Sequence, residues 1–134
     1  MKNGYRLLVV EDDAALCESI ADLLRVTGYH VDTARDGEAA LRLLREAPRP
    51  DAILLDVILP RMSADRLLRA MDDWLWPRPP VVLMTGMIEA APGAASRDDV
   101  LVKPFDVEEL LFRIERACAA GPGASTALFE ARAP

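Results

Sequence analysis

The feature that most restricts the fold of this chain is a set of five short apolar runs, four of them leading directly into a residue that bears a carboxylate, a hydroxyl or an ammonium. The runs are Arg6 to Val10, His30 to Ala34, Ala52 to Leu55, Val81 to Met84 and Val100 to Val102. Most of them lack the apolar–polar alternation of a sheet with one wet face, so they read as strands buried on both sides. Longer stretches with helical spacing separate them. Leu16, Ile20, Leu23 and Leu24 recur at three- and four-residue steps between Ala14 and Thr27, and Gly28 is placed to end that helix. Asp36-Gly37 opens a second helix carrying Ala40, Leu41 and Leu44, which Pro48 and Pro50 stop. Pro60 precedes a third, from Ala64 to Trp74. The run Pro77, Pro79, Pro80 makes a stiff connection, and Asp106-Val107-Glu108-Glu109 supplies a cap and an acidic first turn for a last helix reaching about Cys118. Strands alternating with helices predict an α/β domain with a parallel sheet covered on both faces.

Such sheets place their working residues beyond the carboxyl ends of the strands. The first run ends in Glu11-Asp12-Asp13, the third in Asp56, the fourth in Thr85 and the fifth in Lys103. Carboxylates, a hydroxyl and an ammonium therefore converge on one rim. Two carboxylates 4 Å apart repel by about 4 kcal/mol at an effective dielectric near 20, so the cluster calls for a cation. Oxygen-only donors favour a hard ion such as Mg²⁺. Glu11, Asp12, Asp56 and Lys103 carry a formal charge of −2, which one Mg²⁺ neutralises.

Other chemistry is narrowed by composition. The chain holds 16 Lys and Arg against 22 Asp and Glu, a net charge of −6, and it has no basic run, so direct binding of nucleic acid is not expected. One histidine and two cysteines cannot close a four-ligand Cys/His zinc site. Cys17 and Cys118 fall near opposite ends of two parallel helices, too far apart for a disulfide. No stretch has the roughly 20 apolar residues of a membrane span, and the cytoplasm is the default expectation. His30 reads as an ordinary strand position, Met62, Met84 and Met87 as packing residues, and Trp74 and Trp76 as packing at the end of the third helix, where an exposed one would mark a contact surface.

Four motifs, Leu8-Val9-Val10-Glu11-Asp12-Asp13, Ile53 to Pro60, Val82-Leu83-Met84-Thr85-Gly86 and Leu101-Val102-Lys103-Pro104-Phe105, occur in order at fitting distances. Together they resemble the receiver domain of two-component response regulators. The resemblance covers residues 5–118 and leaves 119–134 as a flexible tail or linker. It implies a flavodoxin-like doubly wound sheet of five strands in the order 2-1-3-4-5. It implies that Asp56 accepts a phosphoryl group from a histidine kinase or histidine phosphotransfer protein and that a downstream partner or output domain responds. Asp12, Asp56 and the backbone carbonyl of Ile58 would hold Mg²⁺, Glu11 would act through water, Thr85 would hydrogen-bond the phosphoryl oxygens and Lys103 would pair with the phosphate. A cis Lys103-Pro104 peptide would aim the ammonium inward. The protein would be no enzyme beyond self-phosphotransfer and slow loss of the phosphoryl group, and a monomer or weak homodimer.

Departures from the family bear on output. Val100 stands where most receivers carry an aromatic residue that swings inward, and Ser63-Ala64 replaces the usual acidic-Gly pair. The segment between Thr85 and Lys103 is shorter than usual, and Pro92-Gly93 within it predicts an irregular fourth helix. Gly86 to Arg97 is then expected to be the softest part of the domain and to order on phosphorylation. Ile58 and Met87 are apolar where fast-hydrolysing relatives carry polar side chains, which predicts a long-lived phosphoryl group. Other readings are weaker. An aspartate-nucleophile phosphohydrolase would want an acid at Ile58. A nucleotide or flavin module lacks a Gly-rich phosphate cradle. The intact acid–Thr–Lys set argues against a pseudo-receiver that serves only as an interaction module.

Overall fold

Side chains on a strand alternate between faces, so an apolar run with no alternation must be covered twice. The computed structural model, which describes residues 4–75, 77–86 and 100–122, shows this arrangement. Five parallel strands, β1 (Arg6–Val10), β2 (His30–Ala34), β3 (Ala52–Asp56), β4 (Val81–Thr85) and β5 (Val100–Val102), form one sheet of order 2-1-3-4-5. Between and after them run α1 (Ala14–Thr27), α2 (Gly37–Glu46), α3 (Ala64–Trp74) and α4 (Val107–Ala120).

The pleat divides the interior into two clusters. Leu7, Val9, Ala52, Leu54, Val82, Met84 and Leu101 face one side, where Cys17, Ile20 and Leu24 of α1 and Leu110, Ile114 and Cys118 of α4 cover them. Leu8, Val10, Ile53, Leu55, Val81, Leu83 and Val100 face the other, under Ala40 and Leu44 of α2 and Leu67, Leu68 and Met71 of α3. Both cysteines are buried free thiols. Burial pushes the Cys118 thiol up to about 12, and it raises Cys17 as well.

Local signals set the helix boundaries. Asp13, Asp36, Ser63 and Asp106 are N-caps, each accepting the backbone N–H three residues on, at 3.1, 2.8, 3.1 and 2.8 Å. Gly28, at φ 116°, ends α1. Its N–H donates to the Arg25 carbonyl and that of Tyr29 to the Leu24 carbonyl, both at 3.0 Å, a paired closure that needs a left-handed residue. Three ends lie beyond their expected positions. Asp56 pairs with Met84 and Thr85 with Val102, which carries β3 and β4 one residue further. The last helix continues through Ala119 and Ala120, good helix formers, until Gly121.

The connection from α3 to β4 holds an unexpected residue. Arg78, set among the prolines, is buried; its Nη1 donates to the Leu68 carbonyl at 3.2 Å and meets Asp72 at 3.1 Å. Trp74 at the end of α3 is half-exposed rather than packed inside, with the Arg45 guanidinium 5.2 Å from its ring centre. Met62 and Met84 pack against the core. The irregular fourth helix, the soft segment from Gly86 to Arg97 beyond Gly86 itself, Met87, Trp76 and the tail beyond residue 122 lie outside the described residues.

Candidate functional site

Three strand ends build the site. β1 delivers Glu11 and Asp12, β3 delivers Asp56 from the centre of the sheet, and the β5 end delivers Lys103. One carboxylate oxygen each from Glu11, Asp12 and Asp56 lies within 4.8 Å of the others. Glu11 and Asp56 are buried, at 1% and 5% exposure, and Asp12 is exposed at the mouth. The Lys103 ammonium reaches Glu11 Oε1 at 3.2 Å and Asp56 Oδ2 at 3.0 Å. Thr85 is buried at the end of β4, and its carbonyl accepts the Lys103 N–H at 2.7 Å, so the two residues are neighbours across the β4–β5 pair. The Lys103-Pro104 peptide is cis.

Backbone donors fix the carboxylates. Ile58 N–H donates to Asp56 Oδ1 at 2.9 Å, and Asp13 N–H donates to Glu11 Oε2 at 3.1 Å. Burial, reinforced by the hydrogen bond and charge of Asp56, pushes Glu11 up to about 7, against the opposing pull of the Asp13 N–H and of Lys103. Partial burial works against the Lys103 charge, but its hydrogen bonds to Asp56 and Glu11, and their charges, overcome that and raise it above the ordinary lysine range. The donor set consists of hard oxygens gathered around more negative charge than one ammonium neutralises, and this fits a small divalent cation.

The side chains of Glu11, Asp12, Asp56 and Lys103 therefore come together at one rim, with Thr85 at the end of the neighbouring strand and Ile58 in the loop that follows Asp56; the Ile58 side chain is 72% exposed. A model of the response regulator receiver domain matches residues 7–115. The chain belongs to that family.

Response regulator MprA of Mycolicibacterium vanbaalenii is 42% identical over 116 residues, a stretch covering 81% of this chain and 48% of that protein. MprA of Mycobacterium ulcerans is 41% identical over 118 residues, covering 83% and 49%. The chain thus spans about half the length of the curated relatives it matches. Among solved structures, the receiver domain from the hybrid histidine kinase CckA superposes with a TM-score of 0.70 at 32% identity, covering 84% of this chain and 98% of that one. Chemotaxis response regulator CheY4 of Vibrio cholerae gives 0.72 at 28%, with the same coverage. Receiver domains act in two-component signalling, with aspartyl phosphorylation and Mg²⁺ as general features of the family. No helix among the described residues is long and apolar enough to cross a membrane.

This receiver also has contacts that the sequence did not reveal. Arg35 Nε donates to the Asp12 carbonyl at 3.0 Å, and Arg61 Nη1 meets Asp36 Oδ2 at 3.4 Å. The only hint in the sequence is that Arg35-Asp36-Gly37 falls at a strand end, on the rim where the acids gather.

Proposed function

We propose that this receiver takes a phosphoryl group onto Asp56 from a histidine kinase or a histidine phosphotransfer protein. The observation that carries this reading is the placement of Asp56: buried at the end of a central strand, within 4.8 Å of two other acids and 3.0 Å from an ammonium. A carboxylate oxygen of Asp56 attacks phosphorus. The phosphorus–nitrogen bond of the donor phosphohistidine breaks, and its electron pair stays on the imidazole nitrogen. Asp12, Asp56 and the Ile58 carbonyl would hold Mg²⁺, with Glu11 acting through water. The bound ion would offset the charge shared by the carboxylates and the incoming phosphoryl oxygens.

The chain's own groups do the rest. Ile58 N–H holds Asp56 Oδ1 and leaves the carboxylate little rotational freedom. Lys103 already lies against Asp56 Oδ2 and can transfer its hydrogen bond to a phosphoryl oxygen; Thr85, at the end of the neighbouring strand, would supply another from its hydroxyl. The aspartyl phosphate then biases a downstream partner or output domain. Apart from self-phosphotransfer and slow hydrolysis, the domain turns nothing over. We place it in the cytoplasm, as a monomer or weak homodimer, without direct nucleic-acid contact.

The test is incubation with phosphoramidate and Mg²⁺ followed by intact mass. One phosphoryl group should be added to the native chain and none to Asp56→Asn. Equal labelling of that variant refutes the assignment.

A further inference from the structure

The loop of residues 57–63 follows Asp56 and would supply a metal ligand through the carbonyl of Ile58. Its first half is fastened to the sheet. Val57 N–H donates to the Met84 carbonyl and Ile58 N–H to Asp56 Oδ1, each at 2.9 Å. Its second half is fastened elsewhere. Arg61 has φ 68°, at the centre of a three-residue turn in which Met62 N–H donates to the Pro60 carbonyl at 2.7 Å. A non-glycine residue stays in that region only where its surroundings hold it there.

The contacts to this half of the loop come from the corner between β2 and α2, with the Arg61 side chain itself 69% exposed. Arg61 Nη1 pairs with Asp36 Oδ2 at 3.4 Å, while Asp36 Oδ1 accepts the Ala39 N–H at 2.8 Å and is thereby fixed to the start of α2. Met62 lies against Gly37 so closely that a Cβ at position 37 would come within 2.9 Å of its Cβ and Sδ. Arg35, the residue before this pair, donates from Nε to the Asp12 carbonyl at 3.0 Å. Three consecutive residues thus touch both segments that would carry metal-holding oxygens.

We propose that the Arg35-Asp36-Gly37 corner is the positioning element of the metal site. It sets the Ile58 carbonyl through Arg61 and Met62, and the Asp12 segment through Arg35. This role rests on the phosphoacceptor reading above. Mg²⁺ demands near-ideal octahedral geometry, so small displacements of a loop carbonyl cost affinity, and residues that orient ligands matter nearly as much as the ligands. Asp12 and Asp56 stand on strand ends, which the sheet holds. The Ile58 carbonyl stands on a loop, so the anchorage of that loop decides its position.

The test uses the whole chain, with Mg²⁺ affinity from calorimetry, melting in EDTA, and phosphorylation by phosphoramidate measured side by side. Arg61→Gly removes the ion pair while glycine accepts φ 68° without strain. It should weaken Mg²⁺ binding about two- to fivefold, since the pair is largely solvent-exposed, while melting in EDTA stays level or rises. Arg61→Lys keeps a cation and should retain most of the affinity. Gly37→Ala should weaken Mg²⁺ binding by pushing Met62, and Gly37→Ala with Met62→Gly, which removes every atom the new Cβ would meet, should restore it. Unchanged Mg²⁺ affinity in both Arg61→Gly and Gly37→Ala, in a protein whose native form is phosphorylated and whose Asp56→Asn form is not, overturns the positioning role alone. A native chain that neither binds Mg²⁺ nor takes a phosphoryl group overturns the acceptor reading and the positioning role together.

Discussion

Replacing Lys103 with Met measures how far the acidic rim depends on one cation before any metal arrives. The ammonium stands 3.2 Å from Glu11 and 3.0 Å from Asp56, and those two carboxylates are almost fully buried. Methionine preserves most of the stem and deletes the charge. Breaking a buried ion pair costs about 3–5 kcal/mol, because a charge is left without compensation. The Lys103 side chain is 29% exposed, so solvent screens part of its attraction and the expected cost falls to about 2–3 kcal/mol. For a domain of this size that is a fall in melting temperature of roughly 6–12 °C. Urea unfolding in EDTA gives the free energy directly, and an unchanged m-value shows that the two-state comparison is sound. Adding Glu11→Gln to Lys103→Met removes one stranded carboxylate, so the double variant should recover about 1–2 kcal/mol. A cost below about 0.5 kcal/mol for Lys103→Met would place Lys103 among ordinary solvated surface lysines and refute the coupling.

Further outcomes follow from single sites. Leu54→Ala, at a fully buried position on the central strand, should cost about 2–5 kcal/mol in urea unfolding, and Asp106→Ala about 1 kcal/mol through loss of the α4 cap. Ile58→Asn should shorten the life of the phosphoryl group, followed by intact mass after donor removal, because a polar side chain beside Asp56 can orient an attacking water. Cys118, pushed up to about 12, should resist iodoacetamide at pH 8.5 until denaturant is added. Cys118 and Tyr29, both raised to about 12 by burial, ionise more readily in the unfolded chain. Their contribution to stability is complete below about pH 9 and is lost as the pH rises toward 12, so alkaline unfolding should begin earlier than in Cys118→Ala with Tyr29→Phe, when each is compared with its own neutral-pH stability.

The strand and helix plan was legible because each element carries its own local signal. Unalternated apolar runs marked strands covered twice, and Asp13, Asp36, Gly28 and Asp106 announced helix ends through side-chain or backbone hydrogen bonds that close within a few residues. The site was legible for a related reason: a parallel sheet brings all its strand ends to one rim, so knowing where each run stopped was enough to gather Glu11, Asp12, Asp56, Thr85 and Lys103. Ser63 as the cap of α3 went unread, its serine standing out only as a departure from an acidic-Gly pair. What depended on distant partners stayed hidden. Arg78 is buried because Asp72 and the Leu68 carbonyl wait for it, and Arg61 meets Asp36 across 25 residues of chain. Neither pairing leaves a periodic trace. Trp74 lies half outside with Arg45, from another helix, over its ring, a pairing equally invisible in the sequence.

The division of the interior by the sheet has a consequence for engineering and for drift under selection. Neighbouring residues of one strand, such as Leu54 and Leu55, belong to different clusters that have no member in common among the described residues. Substitutions under α1 and α4 should therefore combine additively with those under α2 and α3, since distant sites without common partners do so to within about 0.3–0.5 kcal/mol. Each pair of helices can be recast as a recognition surface while the opposite pair keeps the strands in place. A library that randomises the outer face of one helix pair, sparing Gly37 and Met62, leaves the acidic rim on the backbone it had before, and specificity can diversify without renegotiating the chemistry.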